Sequence, residues 1–186
     1  MKKGCKYLVL FGAFLMLTGC TLPFQSKEYP TWKTKGILES YTLADGRNIG
    51  GWLGAYIKDK ISCKWYDFTV NLFEEVNEYD GYKASDGKKL YHANITITNT
   101  SDKDVYLFED DFALVWNLGT DNISYQSSKQ GLTDTMLVNE MVIKIGETKN
   151  IDTLYEVDKS VKKPMAIYYY EQYSDNQKGN KYYVYL

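Results

Sequence analysis

A short acidic stretch is the first place in this sequence where side chains could do chemistry. Residues 99–116 read NTSDKDVYLFEDDFALVW, and five acidic residues fall within ten positions of that stretch: Asp102, Asp104, Glu109, Asp110 and Asp111. Carboxylates at this spacing could bind a divalent cation, could serve as the acid and base of a hydrolase, or could accept hydrogen bonds from backbone amides in turns. Each possibility predicts a different kind of protein.

The order of the residues favours turns over a metal site or a catalytic pair. A calcium loop of the EF-hand type needs acids at alternate positions followed by a glycine, and the stretch has no such glycine. A catalytic pair needs a cleft in which one carboxyl has a raised pKa, which adjacent acids in an exposed turn do not provide. We therefore expect Asn99, Ser101 and Asp102 to bond the amides of a hairpin turn. Asp111 should bond the first amides of the next strand, with residues 109–110 as a solvated loop tip.

The remaining candidates for chemistry are a cation bridge, one thiol and one imidazole. Calcium bound between the acidic loop and Asp134 stays an alternative to turn chemistry. A Cys63 nucleophile would need a base, and the single histidine, His92, shares a strand face with Thr96 and Thr98. We expect Cys63 to be a small buried hydrophobe and His92 to be an exposed or satisfied strand residue, and not a base or a zinc ligand. No Gly-x-Ser-x-Gly elbow, glycine-rich phosphate loop or His-Glu-x-x-His segment occurs, so we expect no catalysis and no resident metal or cofactor.

The first twenty residues carry the strongest signal, and it concerns targeting. Three lysines precede an apolar run at 7–17, which is too short to cross a bilayer core that takes about 20 residues. The run ends in LTGC, which resembles the lipobox of bacterial lipoproteins. That resemblance implies cleavage of residues 1–19 and attachment of a diacylglycerol to Cys20. The lipid would anchor the chain to the bilayer on the extracytoplasmic face of the cell membrane.

Cleavage at that point determines the charge and the layout of the mature chain. Three lysines leave with the signal, so 19 basic residues remain against 24 acidic ones and the net charge is near −5. An acidic chain does not suit a phosphate backbone, so we expect no nucleic acid partner. Residues 20–50 are polar and contain two prolines, which predicts a flexible tether. Residues 51–186 predict one domain, large enough to bury its own core.

Alternation of apolar and polar residues predicts strands through most of that domain. In residues 66–73 and 90–99 apolar side chains recur at every second position, which is the pattern of a half-buried strand. Shorter strand candidates, separated by turn-forming residues, are 104–108, 112–117, 122–126, 141–145, 150–157, 165–172 and 181–186. Seven to nine short strands over about 120 residues favour an antiparallel β-sandwich. Residues 50–61 and a turn around 130–137 are the two places where helix is expected instead.

Three segments resemble a family of bacterial surface lipoproteins. They are WYDFTVNLF, ITITNTSDKDVYLFEDDFALV and IGETKNIDTLYEVDKSVKKP. Together they resemble the telokin-like, immunoglobulin-fold domain of lipoproteins from Gram-positive bacteria. The residues at its motif positions are Asn99, Asp111, Phe112, Gly146, Glu147, Tyr155 and Val157. Ile145 and Asp158 stand where that family has turn prolines. The resemblance spans residues 55–172 and implies an all-β, immunoglobulin-like antiparallel β-sandwich with no known catalytic activity and with binding or adhesion roles.

The C-terminal tyrosines are the remaining feature that could contact a partner. In a sandwich only alternate side chains point inward, so several rings of IYYYEQY and KYYVYL must face outward. Our candidate interaction surface consists of Tyr168, Tyr170, Tyr183 and Tyr185. The alternative is cross-strand ring pairing that stabilises the sheet without any ligand. Trp116 is expected in the core.

Two function hypotheses follow from these observations. In the first, the chain is a non-catalytic, membrane-anchored lipoprotein whose extracellular β-sandwich is a binding or interaction module. Its partners would be the bilayer, through lipidated Cys20, and a protein or glycan. In the second, it is an accessory subunit of a membrane transporter or of a cell-envelope assembly complex, with which it should copurify.

Overall fold

The computed structural model describes residues 50–118, 123–171 and 179–186, together with the backbone of residues 41–42 and 48–49. Every regular element in these ranges is a β-strand. In chain order the strands are β1 (Tyr41–Thr42), β2 (Asn48–Ile49), β3 (Trp52–Tyr56), β4 (Ile61–Ser62), β5 (Tyr66–Val76), β6 (Glu78–Tyr79), β7 (Tyr82–Lys83), β8 (Lys88–Asn99), β9 (Val105–Leu107), β10 (Ala113–Trp116), β11 (Ser124–Gln126), β12 (Met141–Ile143), β13 (Thr148–Asp158), β14 (Met165–Tyr170) and β15 (Lys181–Tyr185).

Nine of these strands form the two principal sheets of a sandwich. One sheet has the order β11-β10-β14-β15-β3 and the other has the order β13-β8-β5-β4. All neighbours are antiparallel except β15 and β3, which are parallel. The orders β5-β8-β13 and β10-β14-β15 correspond to the A-B-E and C-F-G strands of an immunoglobulin domain. The predicted all-β, antiparallel β-sandwich is therefore confirmed. The pairs β1–β2, β6–β7 and β9–β12 form three small sheets beside it.

The core lies between the two sheets, where alternate side chains of both meet. On β8 the predicted inward residues Tyr91, Ala93, Ile95 and Ile97 are all buried. Phe112, at the start of β10, packs edge-on against a second ring, Phe68 of β5, with centroids 5.2 Å apart. Full burial of one such side chain contributes about 1.5–3 kcal/mol, so this aromatic layer is a main source of stability.

A β-bulge changes the alternation that the sequence predicted for β5. Val70 pairs with Ile95, but Leu72 pairs with Asn94, so Asn71 is the extra residue on its strand. After the bulge the face reverses, because one added residue shifts every following side chain to the other side. Leu72, predicted to point inward, is 40% exposed. Phe73 takes its place and stacks on Tyr91, with ring centroids 4.9 Å apart.

The two helical expectations were wrong. Within 50–61 the chain forms β3, which runs beside β15 with Tyr182 opposite Leu53 and Val184 opposite Ala55. This strand is stabilised by pairing with a segment far along the chain, which local patterning does not reveal. Within 130–137 the backbone makes a single turn, with the Met136 amide donating to the Thr133 carbonyl at 3.2 Å, and no helix forms.

Candidate functional site

The first part of the acidic stretch forms a turn centred on Asn99, but the predicted hairpin is wrong, because β9 pairs with β12 and not with β8. The Asn99 Oδ1 accepts the Ser101 amide at 2.9 Å and the Ser101 hydroxyl at 2.8 Å. Its Nδ2 donates to the carbonyls of Lys103 and Ile143 at 2.8 and 2.9 Å. Because Asn99 is buried, these four bonds satisfy an amide that would otherwise cost free energy. Asp102 takes no part: it is exposed and makes no hydrogen bond with the described residues.

Asp111 accepts a hydrogen bond from an amide that precedes it in the chain, and not from the first amides of the next strand as predicted. Its Oδ2 accepts the Phe108 amide at 2.7 Å, which closes the turn ahead of β10. Desolvation, reinforced by the neighbouring Asp110 carboxylate, raises the pKa of Asp111 to about 6, although the Phe108 hydrogen bond opposes that shift. A raised carboxyl pKa is one requirement of an acid catalyst. Here the group is engaged by its own turn, which makes it a structural carboxyl.

The expected solvated tip at residues 109–110 is instead tied to the segment that follows β11. Glu109 accepts a hydrogen bond from the Gln130 side chain, and Asp110 accepts one from the Ser127 hydroxyl. The Glu109 amide also donates to the Asn139 side-chain oxygen at 3.1 Å. These bonds hold the acidic loop against its neighbours. Among the described residues, no group of three or more His, Cys, Asp or Glu side chains is arranged to hold a metal ion.

His92 lies in a hydrogen-bonded cluster on the outward face of the four-stranded sheet. Its Nε2 is 2.8 Å from Asp152 Oδ1, and its ring lies against Tyr79 with centroids 4.8 Å apart. Desolvation acts to raise the pKa of Asp152, but hydrogen bonds from Thr135, Asn94 and His92 outweigh it and lower that pKa. In a catalytic triad the imidazole lies between nucleophile and acid. Here the carboxylate lies between Thr135 and the imidazole, so the order of a triad is absent from this cluster.

Cys63 lies beside a buried carboxylate that the sequence analysis missed. Burial raises the pKa of the Cys63 thiol well above its ordinary value, and the nearby Glu171 carboxylate adds to that effect. A thiol kept protonated is a poor nucleophile. Glu171 is only 1% exposed, and it accepts hydrogen bonds from the Lys64 amide, from Asn180 at 2.9 Å and from Tyr182 at 3.3 Å. The only sequence signal for Glu171 is an acid directly after an apolar strand.

All four tyrosines of the predicted interaction surface belong to the outward face of the five-stranded sheet. Tyr168 pairs with Tyr183 across β14 and β15, and their rings are 5.1 Å apart. Tyr185 lies two residues further along the same face, and Tyr170 lies on it at the opposite end. Tyr183 and Tyr185 are only 5% and 3% exposed, so they support their neighbours and offer little free surface. Tyr168 is half-buried and Tyr170 is exposed.

Two further tyrosines lie on this outward face, and neither was singled out by the sequence. Tyr125 of β11 and Tyr56 of β3 lie on the row of Val115, Ala166 and Tyr185, at its two ends. Tyr125 is 69% exposed, the most exposed of the large apolar residues. The Tyr185 hydroxyl is buried and has no hydrogen-bond partner among the described residues. We name this set, with Tyr168, Tyr170, Tyr183 and Tyr185, the tyrosine face.

The predicted signal peptide, Cys20 and most of the predicted tether lie outside the described residues. Trp32 and Tyr173 do as well. In the part of the chain that the structure describes, no helix is long and apolar enough to cross a membrane.

Comparison with known proteins supports the fold and leaves the family open. No family model matches the sequence, and no curated protein is detectably similar to it, so the telokin-like family remains a prediction. Several of its structural neighbours come from Gram-positive bacteria. The yjhA protein of Bacillus subtilis is 15% identical, with 69% of this chain and 99% of that one covered and a TM-score of 0.50. An uncharacterised β-sandwich protein of Clostridium difficile is 18% identical, with 70% and 92% covered and a TM-score of 0.46.

A third neighbour is the ycdA protein of Bacillus subtilis, described as a "putative lipoprotein". It is 18% identical, with 68% of this chain covered and a TM-score of 0.50. This chain spans only 38% of the length of that protein. At such identities the likeness concerns the fold alone.

Proposed function

We propose that this chain is a non-catalytic lipoprotein, anchored through Cys20 to the extracytoplasmic face of the cell membrane, whose β-sandwich is a binding or interaction module. The anchor is supported by the apolar run and the LTGC segment, which resembles a lipobox. Two acyl chains on one residue hold a protein to a bilayer stably, because each buried methylene contributes about 0.8 kcal/mol.

The absence of a catalytic role is supported by the way the reactive groups are used. A catalytic site needs a nucleophile, a base and an open position for the reacting atom. His92 and Asp152 bond to each other, and Asp111 closes its own turn. Cys63 is held protonated by burial and by Glu171, which in turn is bonded to three donors. In the described residues these groups stabilise loops and strand ends.

The observation that carries the binding role is the exposed part of the tyrosine face. Tyr125 and Tyr170 present exposed ring surface, as does Tyr56 on the edge strand β3, and Tyr168, Tyr183 and Tyr185 pack beside them. Tyrosine is enriched in interfaces because it offers a large, rigid contact with a polar tip. A protein or a glycan would bind against the exposed rings of this face.

The test uses the full chain expressed in a bacterial host with intact envelope processing. The wild type, Cys20→Ala and Tyr125→Ser/Tyr170→Ser are compared with Tyr106→Ser, which removes an exposed tyrosine of β9 away from the tyrosine face. We expect the wild type in the membrane fraction and labelled by a fatty-acid analogue, and Cys20→Ala unlabelled and released. A partner captured from the envelope, or a glycan bound on an array, should be lost in the double variant and kept by Tyr106→Ser.

Different outcomes contradict different parts of the proposal. An unlabelled wild type removes the anchor, and equal binding by the double variant removes the tyrosine face. Copurification with one membrane complex through another surface would identify an accessory subunit instead.

A further inference from the structure

A cleft of about 450 Å³ opens at one end of the sandwich, next to the tyrosine face. One wall is the end of β10 and the residues after it, 116–118, and the other wall is the connection from β13 to β14, residues 160–164. Leu118 belongs to both regions, since it lines the cleft and packs against the cluster beneath the tyrosine face. A volume of this size can hold a ligand of one or two sugar rings, within the range of small-molecule pockets.

The charge of the cleft differs from that of the rest of the domain. The mature chain is acidic, and several lysines with a described side chain lie beside a carboxylate, for example Lys88 with Asp158 at 2.7 Å and Lys60 with Asp67 at 2.5 Å. Lys162 and Lys163 both line the cleft, are exposed and form no ion pair with the described residues. Two adjacent, uncompensated ammonium groups at a concave surface create a local positive potential that attracts anions.

The other lining residues add an aromatic wall and polar groups. Trp116 is half-buried and packs against the core, which fixes its indole at the edge of the cleft. Asn117 has a φ of 59°, a left-handed conformation that asparagine tolerates, and its Nδ2 is 3.2 Å from the Ser124 hydroxyl. Ser160 contributes a hydroxyl from the opposite wall. An indole beside hydroxyl and amide groups suits a ring that carries hydroxyls, since such a ligand is apolar on one side and polar at its edge.

We infer that this cleft binds a phosphorylated sugar or polyol, with the phosphate at Lys162 and Lys163 and the carbon skeleton against Trp116. This inference rests on the proposed binding role and names the chemistry of its ligand. The same polyol phosphate occurs in soluble sugar phosphates and wall polymers and in glycerophospholipid headgroups, so both sources must be tested. A nucleic acid is disfavoured because the mature chain is acidic, with a net charge near −5.

The test measures binding by ligand-detected NMR with the full chain, wild type and variants. Glucose 6-phosphate is the probe, with glucose and inorganic phosphate alone as partial probes. We expect glucose 6-phosphate to bind more tightly than either part, and to bind more weakly at an ionic strength of about 1 M, where the Debye length is only about 3 Å. Lys162→Gln/Lys163→Gln should weaken binding about tenfold, because it removes both charge-assisted contacts. Trp116→Phe should weaken it less.

The matched control is Lys103→Gln/Lys144→Gln, which neutralises two exposed lysines on other turns. It should bind as the wild type does. A second arm uses the Cys20→Ala chain with vesicles of phosphatidylcholine, with and without phosphatidylglycerol. Binding only to the anionic vesicles, lost in the Lys162/Lys163 variant, identifies a lipid headgroup as the source of the same chemistry.

The inference is overturned if glucose 6-phosphate does not bind at millimolar concentration and the anionic vesicles do not bind either, or if the cleft variant and the control bind equally well. Those results would leave the proposed function standing where Tyr125→Ser/Tyr170→Ser still abolishes capture of an envelope partner. Loss of both would end the binding role altogether.

Discussion

The two outward faces of this sandwich differ sharply in chemistry, although alternation of side chains builds both. Over most of its outward face the four-stranded sheet carries amides, hydroxyls and one imidazole, whereas the five-stranded sheet carries the tyrosine face. On the polar side, the Asn71 Nδ2 donates to Asn94 at 2.8 Å and to Thr96 at 2.7 Å. Thr96 then donates to Asn150 at 2.6 Å. The donor that begins this chain comes from the bulge residue of β5.

The side chains of the tyrosine face are held by ring packing and not by hydrogen bonds to one another. Tyr168 and Tyr183 pair across the strands, and Tyr56 and Tyr185 pair at a centroid distance of 5.8 Å. Beneath them Ala166 is fully buried, although it lies on the side away from the core. On the polar face the side chains hydrogen-bond to one another, whereas on the tyrosine face the rings at the edge of the sheet stay exposed. That is why binding is proposed for the tyrosine face and not for the polar one.

The largest effect on stability is expected from removing a buried ring of the tyrosine face. Tyr183→Ala should lower the free energy of unfolding by about 3 kcal/mol, because truncating a buried aromatic side chain removes its contacts and leaves a cavity. Denaturant unfolding measures this change. The control is Tyr125→Ala, on the same face but mostly exposed, which should change stability by no more than about 0.5 kcal/mol. Equal losses in the two variants would show that the outward rings are not packed as a layer.

A smaller effect is expected where the polar sheet is covered by loops. Glu156 accepts hydrogen bonds from Lys129 at 2.7 Å, Tyr82 at 2.8 Å and the Ser85 amide at 2.6 Å. Desolvation opposes them, yet together they lower the pKa of Glu156 from 4.5 to about 2. A lowered carboxyl pKa stabilises the fold above pH 4.5, and this contribution is lost as the pH falls towards 2. Glu156→Gln should cost about 1.5 kcal/mol at neutral pH through the lost charge-assisted bond.

The pH dependence separates this effect from a general weakening. The difference in unfolding free energy between wild type and Glu156→Gln should shrink as the pH falls from 4.5 towards 2, because only the wild type has a Glu156 carboxylate to protonate. Glu75→Gln, at an exposed position 3.7 Å from Lys89, serves as the control and should change the free energy of unfolding by no more than about 0.5 kcal/mol. A pH-independent difference for Glu156→Gln would contradict the role given to its charge.

Much of the fold was predictable because one face of each long strand is buried. From Tyr91 to Asn99 on β8 the burial follows the sequence pattern residue by residue, since a half-buried strand leaves a period of two. The bulge at Asn71 was not predictable, because the register of β5 is decided by its partner strand. Strand β3 was missed for the same reason: Gly54 at its centre carries no strand signal, and its pairing partner lies at the other end of the domain.

The side of the sheet on which the four candidate tyrosines lie was predictable, but their exposure to solvent was not. Alternation places Tyr168, Tyr170, Tyr183 and Tyr185 on one side, and the strand register agrees. Their exposure depends on neighbours from β3, β10 and β11, which no single segment encodes. Glu171 was missed for a related reason, since a buried carboxylate is revealed only by the three donors that surround it.

The smallest effect on stability is expected in the hydrogen-bonded network on the outward face of the four-stranded sheet. Asn94→Ala should cost about 1 kcal/mol, since Asn94 links the Asn71 amide to Asp152, 3.0 Å away, and its loss leaves part-buried groups unpaired. Thr98→Ala removes one hydroxyl of an exposed cross-strand pair with Thr148 and should cost about 0.3 kcal/mol. If Asn94→Ala proved as mild as Thr98→Ala, water would be replacing the network without loss. The polar face would then be stabilised by its strands alone, and its hydrogen bonds would not distinguish it from any other wetted sheet.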